Sequence, residues 1–368
     1  MCSPHPSADR ARQAGFTLIE LMIGVVIGLL ASLAVTHVLV NSEGQKRTTM
    51  AGSDAQINGA LSLSTLQRSI QSAGYGFAAT PMVIGCPISA RWNNAVIAGF
   101  PASLVPVTIT DGAAGAPDTV RVLASGKTSF SVPGRIIPPG YAAGAKTVPI
   151  ASIRGIQTGD LMLAASDASA ICEMFQVTGD PPDPTNVRRD DDARWNPPNW
   201  PTASYGQGNF LVNLGSPVDT TYSIVNNALR VSRLNLAAAD TQPSYEAVEL
   251  FPDIVNLQAL YGKDTDNDGA VDTWNNVTPV NNAGWLQVMA VRLAVVARSS
   301  QFEKADVTFA NPLWDVGTIG TTALTGLATC GASKCLTLKV ETVDAGWKRY
   351  RYRVFDTVIP LRNMLWNS

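Results

Sequence analysis

The chain has 368 residues, enough for two domains or one large domain. Its formal net charge is −2, which argues against a nucleic-acid-binding protein, because such a protein needs a basic face to replace counterions on phosphate. Hydrophobic residues make up 46% of the chain, a share that supports a sizeable core and excludes wholesale disorder.

A polar stretch opens the chain and is followed by its longest apolar run. Residues 16–40 hold a single formal charge, Glu20. Because about 20 consecutive apolar residues cross a bilayer, this run predicts a transmembrane helix. In an ordinary secretory signal the apolar run precedes a small residue and is removed with the signal. In this chain Gly15 comes first, so cleavage after residues 1–15 would leave the helix on the mature protein.

The junction residues, Gly15-Phe16-Thr17-Leu18-Ile19-Glu20-Leu21, resemble the class III signal of type IV prepilins. The resemblance implies that a prepilin peptidase removes a cytoplasmic leader, residues 1–15, by cleavage between Gly15 and Phe16, and that Phe16 is N-methylated. It also implies a single-pass inner-membrane protein whose head lies in the periplasm and later in a pilus at the cell surface. The simpler alternative is a plain membrane anchor.

Glu20 needs its own explanation, because a carboxylate inside an apolar helix is costly and marks a functional candidate. The prepilin resemblance implies that Glu20 neutralises the N-terminal amine of a neighbouring subunit in the fibre. Such a pair gains more in a dry helical core than in water, and either charge left alone is penalised. We therefore expect Glu20 to set the register of assembly. The alternative is a side chain that reaches water at the membrane surface.

The helical pattern continues beyond the membrane segment. Apolar residues recur at intervals of three and four: Leu63, Leu66, Ile70 and Ala73. This spacing places them on one helix face, so residues 41–76 are predicted to form the amphipathic half of the same helix. Gly74 and Gly76 end it.

From about residue 77 the pattern changes to short strand-like runs between turns. The predicted strands cover residues 119–123, 147–150, 161–164, 172–177, 229–234, 287–298, 336–342 and 350–359. No alternation of strands and helices is visible. The predicted fold is therefore α+β: a long N-terminal helix packed on a mainly antiparallel β-sheet head, residues 77–368, as in pilins.

Residues 179–205 hold six prolines, an Asp-Asp-Asp run and two tryptophans, and are predicted to be a loop or insertion in the head. Trp195 and Trp200 could form an exposed contact patch. The favoured alternative is that the two rings pin the loop to its own domain.

An acidic segment between two strand-like runs matches the start of a calcium-binding loop. Its candidate ligands are the side chains of Asp264, Asp266, Asp268 and Asp272 and the carbonyl of Ala270. Asn275 stands where an EF-hand has a bidentate Glu, so we predict a calcium loop of another type, with a dissociation constant of about 10⁻⁴–10⁻³ M. The alternative is a solvated acidic hairpin turn.

Four cysteines remain once Cys2 leaves with the leader, an even number that suits an oxidising compartment. Four cysteines allow three pairings. Cys330 and Cys335 could close a small loop before a strand, and Cys86 and Cys172 would then form the other disulfide.

Four segments of the body resemble the PilW type of minor pilin. They are LQRSIQSAGYG (residues 66–76), LQALYGKDTDNDGAVD (257–272), VRLAVVARS (291–299) and YRVFDTVIPLRN (352–363). The resemblance implies a structural subunit in pilus assembly or initiation, with the pilus tip as one position open to it. Its implied partners are other minor and major pilins, the prepilin peptidase, the inner-membrane assembly machinery and membrane lipid, with no nucleic acid.

Two other functions remain open at this stage: a J-type pseudopilin of type II secretion, and a tip adhesin that binds through residues 179–205. An enzyme is the least supported reading. The chain's two histidines, His5 and His37, lie in the leader and the membrane segment, and no nucleophile-elbow or phosphate-loop motif is complete.

Overall fold

The computed structural model describes residues 15–128, 132–167, 169–179, 185–191, 194–236, 241–318, 324 and 327–365. The predicted leader lies outside these ranges except for Gly15, as do parts of the segment 179–205. The chain forms two compact units, Met1–Ala51 and Gly52–Ser368.

One helix, α1 (Leu18–Gln71), runs through 54 residues. No proline interrupts it, and a turn follows in which Gly74 and Gly76 adopt φ values of 77° and 89°. The N–H of Gly74 donates to the carbonyl of Leu123 at 2.8 Å, which fixes the point where the chain leaves the helix. The predicted helix and its glycine stop are confirmed, with boundaries shifted by a few residues.

Within the first unit, residues 15–40 are all exposed and mostly apolar. Among the described helices, α1 is long and apolar enough to cross a membrane, judged by length and composition. An isolated helix that is apolar on every side buries its surface against lipid or other helices. This segment therefore carries the apolar surface expected of a membrane or fibre-core helix.

The second unit consists mainly of short strands. In chain order they begin with β1 (Ile88–Ser89), β2 (Arg91–Trp92), β3 (Ala95–Val96), β4 (Val107–Thr110), β5 (Thr119–Ala124), β6 (Gly134–Arg135), β7 (Thr147–Pro149), β8 (Leu161–Ala165), β9 (Cys172–Gln176) and β10 (Asn186–Arg188). They continue with β11 (Phe210–Gly215), β12 (Val218–Val225), β13 (Ala228–Asn235), β14 (Ser244–Pro252), β15 (Ile254–Lys263), β16 (Thr273–Asn275), β17 (Val288–Arg298), β18 (Leu313–Gly317), β19 (Leu327–Cys330), β20 (Ser333–Thr337) and β21 (Tyr352–Pro360). A short helix, α2 (Asn282–Leu286), precedes β17, and 3₁₀ turns cover Pro81–Val83 and Trp347–Arg349.

These strands form three larger sheets in the described part of the chain. Their orders are β14-β13-β12-β5-β4, β1-β9-β8-β11-β6 and β16-β15-β17-β21. A three-stranded sheet, β18-β20-β19, and the pairs β10-β7 and β2-β3 complete the head. Neighbouring strands are antiparallel except β1 and β9, which are parallel. The predicted combination of a long helix with mainly antiparallel sheet is confirmed.

The C-terminal part of α1 packs against one face of the four-stranded sheet. Leu66 and Ile70 are fully buried in the same cluster as Leu257 of β15 and Val291 of β17. The predicted helix face of Leu63, Leu66, Ile70 and Ala73 is therefore the face that the fold buries. Burying a side chain such as Leu66 stabilises the head by roughly 1.5–3 kcal/mol.

The opposite face of that sheet is also covered. Leu260 of β15 and Val296 of β17 share a buried cluster with Trp314 of β18 and Leu336 of β20. A strand that is buried on both faces carries no alternation of apolar and polar residues. For this reason the ten-residue β15, which is buried at nine positions, is missing from the strands predicted above.

The strand predicted at residues 336–342 is wrong in position, since β20 covers Ser333–Thr337. Beyond β20 the backbone N–H groups donate hydrogen bonds to a neighbouring loop and not to another strand. The N–H of Leu338 donates to Pro312 O at 2.9 Å, and that of Val340 donates to Asn311 Oδ1 at 3.0 Å. Apolar side chains at 338 and 340 are thus buried without a strand ladder.

Candidate functional site

The N-terminus of α1 is closed by a reciprocal cap between Thr17 and Glu20. The Thr17 N–H donates to Glu20 Oε2 at 3.0 Å, and the Thr17 hydroxyl donates to the same oxygen at 2.8 Å. The Glu20 N–H donates back to Thr17 Oγ1 at 3.3 Å. This is a capping box, which satisfies backbone donors that a helix start leaves open. The motif Thr-x-x-Glu is visible in the sequence, but its capping role was missed there.

The predicted processing residues precede this cap. Gly15 and Phe16 lie outside the helix in exposed backbone, and the Phe16 side chain is 89% exposed. A peptidase needs an accessible, non-helical peptide bond, and the described residues offer one at this junction. Cleavage and methylation remain predictions.

The acidic segment forms the turn that joins β15 to β16. Carboxylate oxygens of Asp264, Asp266 and Asp268 lie within 4.8 Å of one another, close enough to hold one metal ion. Asn267 and Gly269 adopt φ values of 62° and 88°, which curl the backbone around these side chains.

Asp264 anchors the acidic turn. Its side chain is buried, and its Oδ1 accepts the N–H of Asn267 at 2.7 Å while its Oδ2 accepts the N–H of Gly269 at 2.9 Å. Asp266 and Asp268 are exposed. Desolvation, together with the like charges of Asp268 and Asp272, raises the pKa of Asp266 above its usual value. A bound cation would relieve this repulsion.

The structure does not bring every predicted ligand into this cluster. The Asp272 carboxylate accepts the N–H and the hydroxyl of Thr265 at 2.6 and 2.9 Å, and these hydrogen bonds lower its pKa. Ala270 belongs to the same turn, where its N–H donates to Asp268 Oδ1 at 2.8 Å. Asn275 lies in β16, and its Oδ1 accepts the N–H of Val277.

The structure contains two disulfides among its described residues. Cys86 and Cys172 are fully buried and linked across 86 positions of sequence, next to the parallel pair of β1 and β9. Cys330 and Cys335 are linked across the turn between β19 and β20. Cys335 lies within β20, so this bridge closes a hairpin and does not precede a strand as predicted.

Both tryptophans of the segment 179–205 face the interior of the head. Trp195 and Trp200 are 4% and 3% exposed. Trp195 packs edge-on against Trp92, and the Trp200 indole N–H donates to Met174 O at 2.6 Å. The rings therefore pin the segment to its own domain, and the alternative of an exposed tryptophan patch is wrong.

The four body segments that resemble PilW proteins meet in one place. Residues 66–76 end α1, residues 257–272 contain most of β15, and residues 291–299 and 352–363 cover most of β17 and β21. These strands are neighbours in the sheet against which α1 packs. Segments scattered over nearly 300 residues thus build a single helix–sheet core.

Comparison with known proteins agrees with this arrangement at both ends of the chain. The family model "Type IV Pilus-assembly protein W" matches residues 220–363, which hold the four-stranded sheet and its neighbours. The prokaryotic N-terminal methylation motif matches residues 10–36, around the predicted cleavage junction.

No curated protein is significantly similar to the chain. Among solved structures, the chain is similar to the type IV-like pilin TTHA1219 from Thermus thermophilus, with 9% identity, a TM-score of 0.32, and coverage of 84% of this chain and 97% of that one. The two family matches occur in one chain, with the N-terminal methylation motif first and the PilW region after it. Together, the PilW match and the N-terminal methylation motif support a PilW-type minor pilin that takes part in type IV pilus assembly.

Proposed function

We propose that this minor pilin acts at the initiation of the pilus and occupies a position at or near its tip. The observation that carries the proposal is the exposed apolar stretch of residues 15–40, joined by one continuous helix to a folded head. Such a stretch is stable in a membrane and, after extraction, in the core of a helical fibre. The head would contact other pilins through its loops and through edge strands such as β4, β14 and β21.

The proposal includes processing and location. A prepilin peptidase cleaves between Gly15 and Phe16, Phe16 is N-methylated, and the leader of residues 1–15 stays in the cytoplasm. The mature chain waits in the inner membrane with residues 77–368 in the periplasm, then joins major and minor pilins at the cell surface. Support comes from the methylation motif and from the exposed Gly15–Phe16 junction.

Pilus yield from sheared cells of a deletion strain tests the proposal. We expect loss of surface pili that is restored by the wild-type chain. A Gly15→Leu variant should leave an uncleaved, larger protein and fail to restore pili. Normal pili together with an exoprotein that accumulates unsecreted would contradict the proposal and favour the J-type pseudopilin.

A tip adhesin has lost its structural support, since the tryptophans that suggested it are buried. The deletion strain also distinguishes an adhesin from an assembly subunit. If the protein were an adhesin, the deletion strain would assemble normal pili that fail to attach. The family assignment points to a structural subunit and supplies no catalytic role.

We propose further that the acidic turn binds a metal ion and that this ion is calcium. Carboxylate oxygens are hard ligands that suit calcium, and Asp264, Asp266 and Asp268 supply them within 4.8 Å. The carbonyl of Ala270 and, after release from Thr265, the carboxylate of Asp272 would add to this set. The bound ion would have a structural role: it would neutralise the clustered charges and stiffen the β15–β16 turn.

Thermal unfolding in 10 mM calcium against chelator tests this metal. With a dissociation constant of about 10⁻⁴–10⁻³ M, saturating calcium should stabilise the head by about 1.4–2.7 kcal/mol. Asp266→Asn should abolish that gain, whereas Asp306→Asn, a matched exposed carboxylate outside the turn, should keep it. Equal stability in calcium and in chelator for the wild type would remove the proposal.

A further inference from the structure

A patch of aromatic and basic side chains lies on the head outside the sites described above. It consists of Phe302, Lys304, Phe309, Lys348, Arg349 and Arg351, and we refer to it as the basic–aromatic patch. Phe302 and Phe309 are 56% and 79% exposed, which is unusual for phenylalanine. Large apolar side chains that stay exposed beside cations indicate a surface that meets a partner.

Backbone hydrogen bonds fix the two segments of this patch against each other. The N–H of Glu303 donates to Arg349 O at 2.9 Å, and the N–H groups of Val307 and Thr308 donate to Lys348 O at 2.8 and 2.9 Å. The fold therefore holds the two segments of the patch in a fixed arrangement.

The patch carries net positive charge. Two of its cations are paired: Arg351 with Glu303 at 3.0 Å and Arg349 with Asp306 at 3.6 Å. Within the part of the chain that the structure describes, Lys304 and Lys348 lie in no ion pair, which leaves two positive charges on a chain whose net charge is −2.

The patch lies at the end of the head where α1 enters it. Ser300, just before the patch, donates from its hydroxyl to Asp54 Oδ2 at 3.2 Å. Asp54 belongs to the first turn of α1 within the second unit.

We propose that the basic–aromatic patch binds an anionic phospholipid surface and holds the head on the membrane before the subunit enters a fibre. Each Lys or Arg near such a surface strengthens binding about fivefold, and phenylalanine rings bury in the boundary between the headgroups and the acyl chains. Two unpaired cations alone bind weakly. A membrane-spanning anchor on the same chain removes that weakness, because it keeps the patch at a high effective concentration near lipid.

This inference rests on the membrane-anchored state in the proposed function, but its test does not involve a pilus. The full-length protein is reconstituted in nanodiscs of phosphatidylglycerol or phosphatidylcholine that contain a photoactivatable phospholipid. Mass spectrometry then locates the cross-links. We expect cross-links at residues 299–309 and 347–351 in phosphatidylglycerol, and at least about fivefold fewer in phosphatidylcholine, which is the fold-change that about 1 kcal/mol produces.

Variants sharpen this test. Lys304→Glu and Lys348→Glu should each lower the cross-link yield about fivefold or more in phosphatidylglycerol. Phe309→Ala should lower it without changing the melting temperature, because that ring is exposed. Arg154→Glu, an exposed cation in the turn between β7 and β8, is the matched control and should leave the yield unchanged.

Equal cross-linking in the two lipids, or none within the patch, would overturn the proposal. Normal lipid cross-links together with normal surface pili in the deletion strain would instead contradict only the proposed function. If the patch cross-links to a second pilin in cells and to no lipid in nanodiscs, it is a protein interface and the lipid proposal is wrong.

Discussion

At the scale of single residues, Glu20 has two roles that different substitutions can separate. In the single chain it caps α1 together with Thr17. In the fibre it is proposed to pair with the N-terminal amine of a neighbour. A glutamine keeps an oxygen acceptor for the cap but carries no charge, whereas an alanine has neither property.

We therefore predict that Glu20→Gln and Glu20→Ala both fail to restore pili in a deletion strain if the charge is the essential property. Loss of the cap alone costs about 1 kcal/mol, too little to prevent membrane insertion. Surface pili are measured after shearing, and the amount of membrane-inserted subunit is the control. Full restoration by Glu20→Gln would show that capping, and not charge, is what assembly needs.

Asp118 is a second residue with a definite physical consequence. Its carboxylate is buried between β5 and β15, where it accepts the N–H groups of Gly112 and Ala259 at 2.8 Å each. Burial raises its pKa to about 7, and nearby Asp111 adds to the shift. The folded head therefore holds a proton at this site between about pH 4 and pH 7 that the unfolded chain has lost.

The contribution of Asp118 to the free energy of unfolding therefore falls as the pH rises from about 4 to about 7, and it is constant above about pH 7. Asp118 contributes a slope of about 1.4 kcal/mol per pH unit. Urea unfolding of the detergent-solubilised protein, followed by tryptophan fluorescence at several pH values, measures it. In Asp118→Asn the decline should be shallower by that amount. Identical slopes in the two proteins would contradict the assigned shift.

At the scale of elements, the contact between α1 and β21 depends on a glycine. A Cβ at Gly59 would lie 2.2 Å from Cε2 of Phe355. The absence of a side chain at this position is what allows the helix to approach the sheet so closely. Gly52, in the same helix, has no atom within 4 Å of such a Cβ and serves as the comparison.

Gly59→Ala should destabilise the head by about 1–3 kcal/mol through overpacking, even though alanine favours a helix. Gly52→Ala should stabilise it by up to about 1 kcal/mol. Urea unfolding measures both. In a Phe355→Leu background the cost of Gly59→Ala should shrink, because the smaller side chain leaves room. An unchanged cost there would show that the ring is not the obstacle.

At the scale of the whole molecule, the two disulfides constrain very different lengths of chain. The Cys86–Cys172 bridge spans 86 positions and the Cys330–Cys335 bridge spans five. A longer closed loop removes more entropy from the unfolded chain. The first bridge therefore contributes more to the stability of the head than the hairpin bridge does.

Replacing Cys86 and Cys172 by alanine should cost about 4–5 kcal/mol, and replacing Cys330 and Cys335 about 2 kcal/mol. Urea unfolding under oxidising conditions gives both values, and the same measurements in reductant should remove the differences between wild type and variants. A hairpin double variant that loses as much stability as the other would contradict a loop-length origin.

Structural features that depend on local spacing or composition could be predicted from the sequence. The apolar run of residues 16–40, the helix face that contains Leu66 and Ile70, and the glycine stop at Gly74 each follow from local spacing or composition. Alternating strands such as β13 and β21 were also predicted. Two strands that are buried at nearly every position, β11 and β15, were not, since they present no period that distinguishes a strand from other buried chain.

By itself, the sequence determined the apolar run at the start of the N-terminal helix, the long helix beyond it and the α+β class, because each depends on neighbours close in the chain. The tertiary structure alone decided what distant residues do. It buried Trp195 and Trp200, tied the Asp272 carboxylate to Thr265, and placed Cys335 inside a hairpin strand. It also set the basic–aromatic patch beside the entry of α1. Burial and contact between residues far apart in sequence depend on how the sheets pack, and no local pattern encodes that packing.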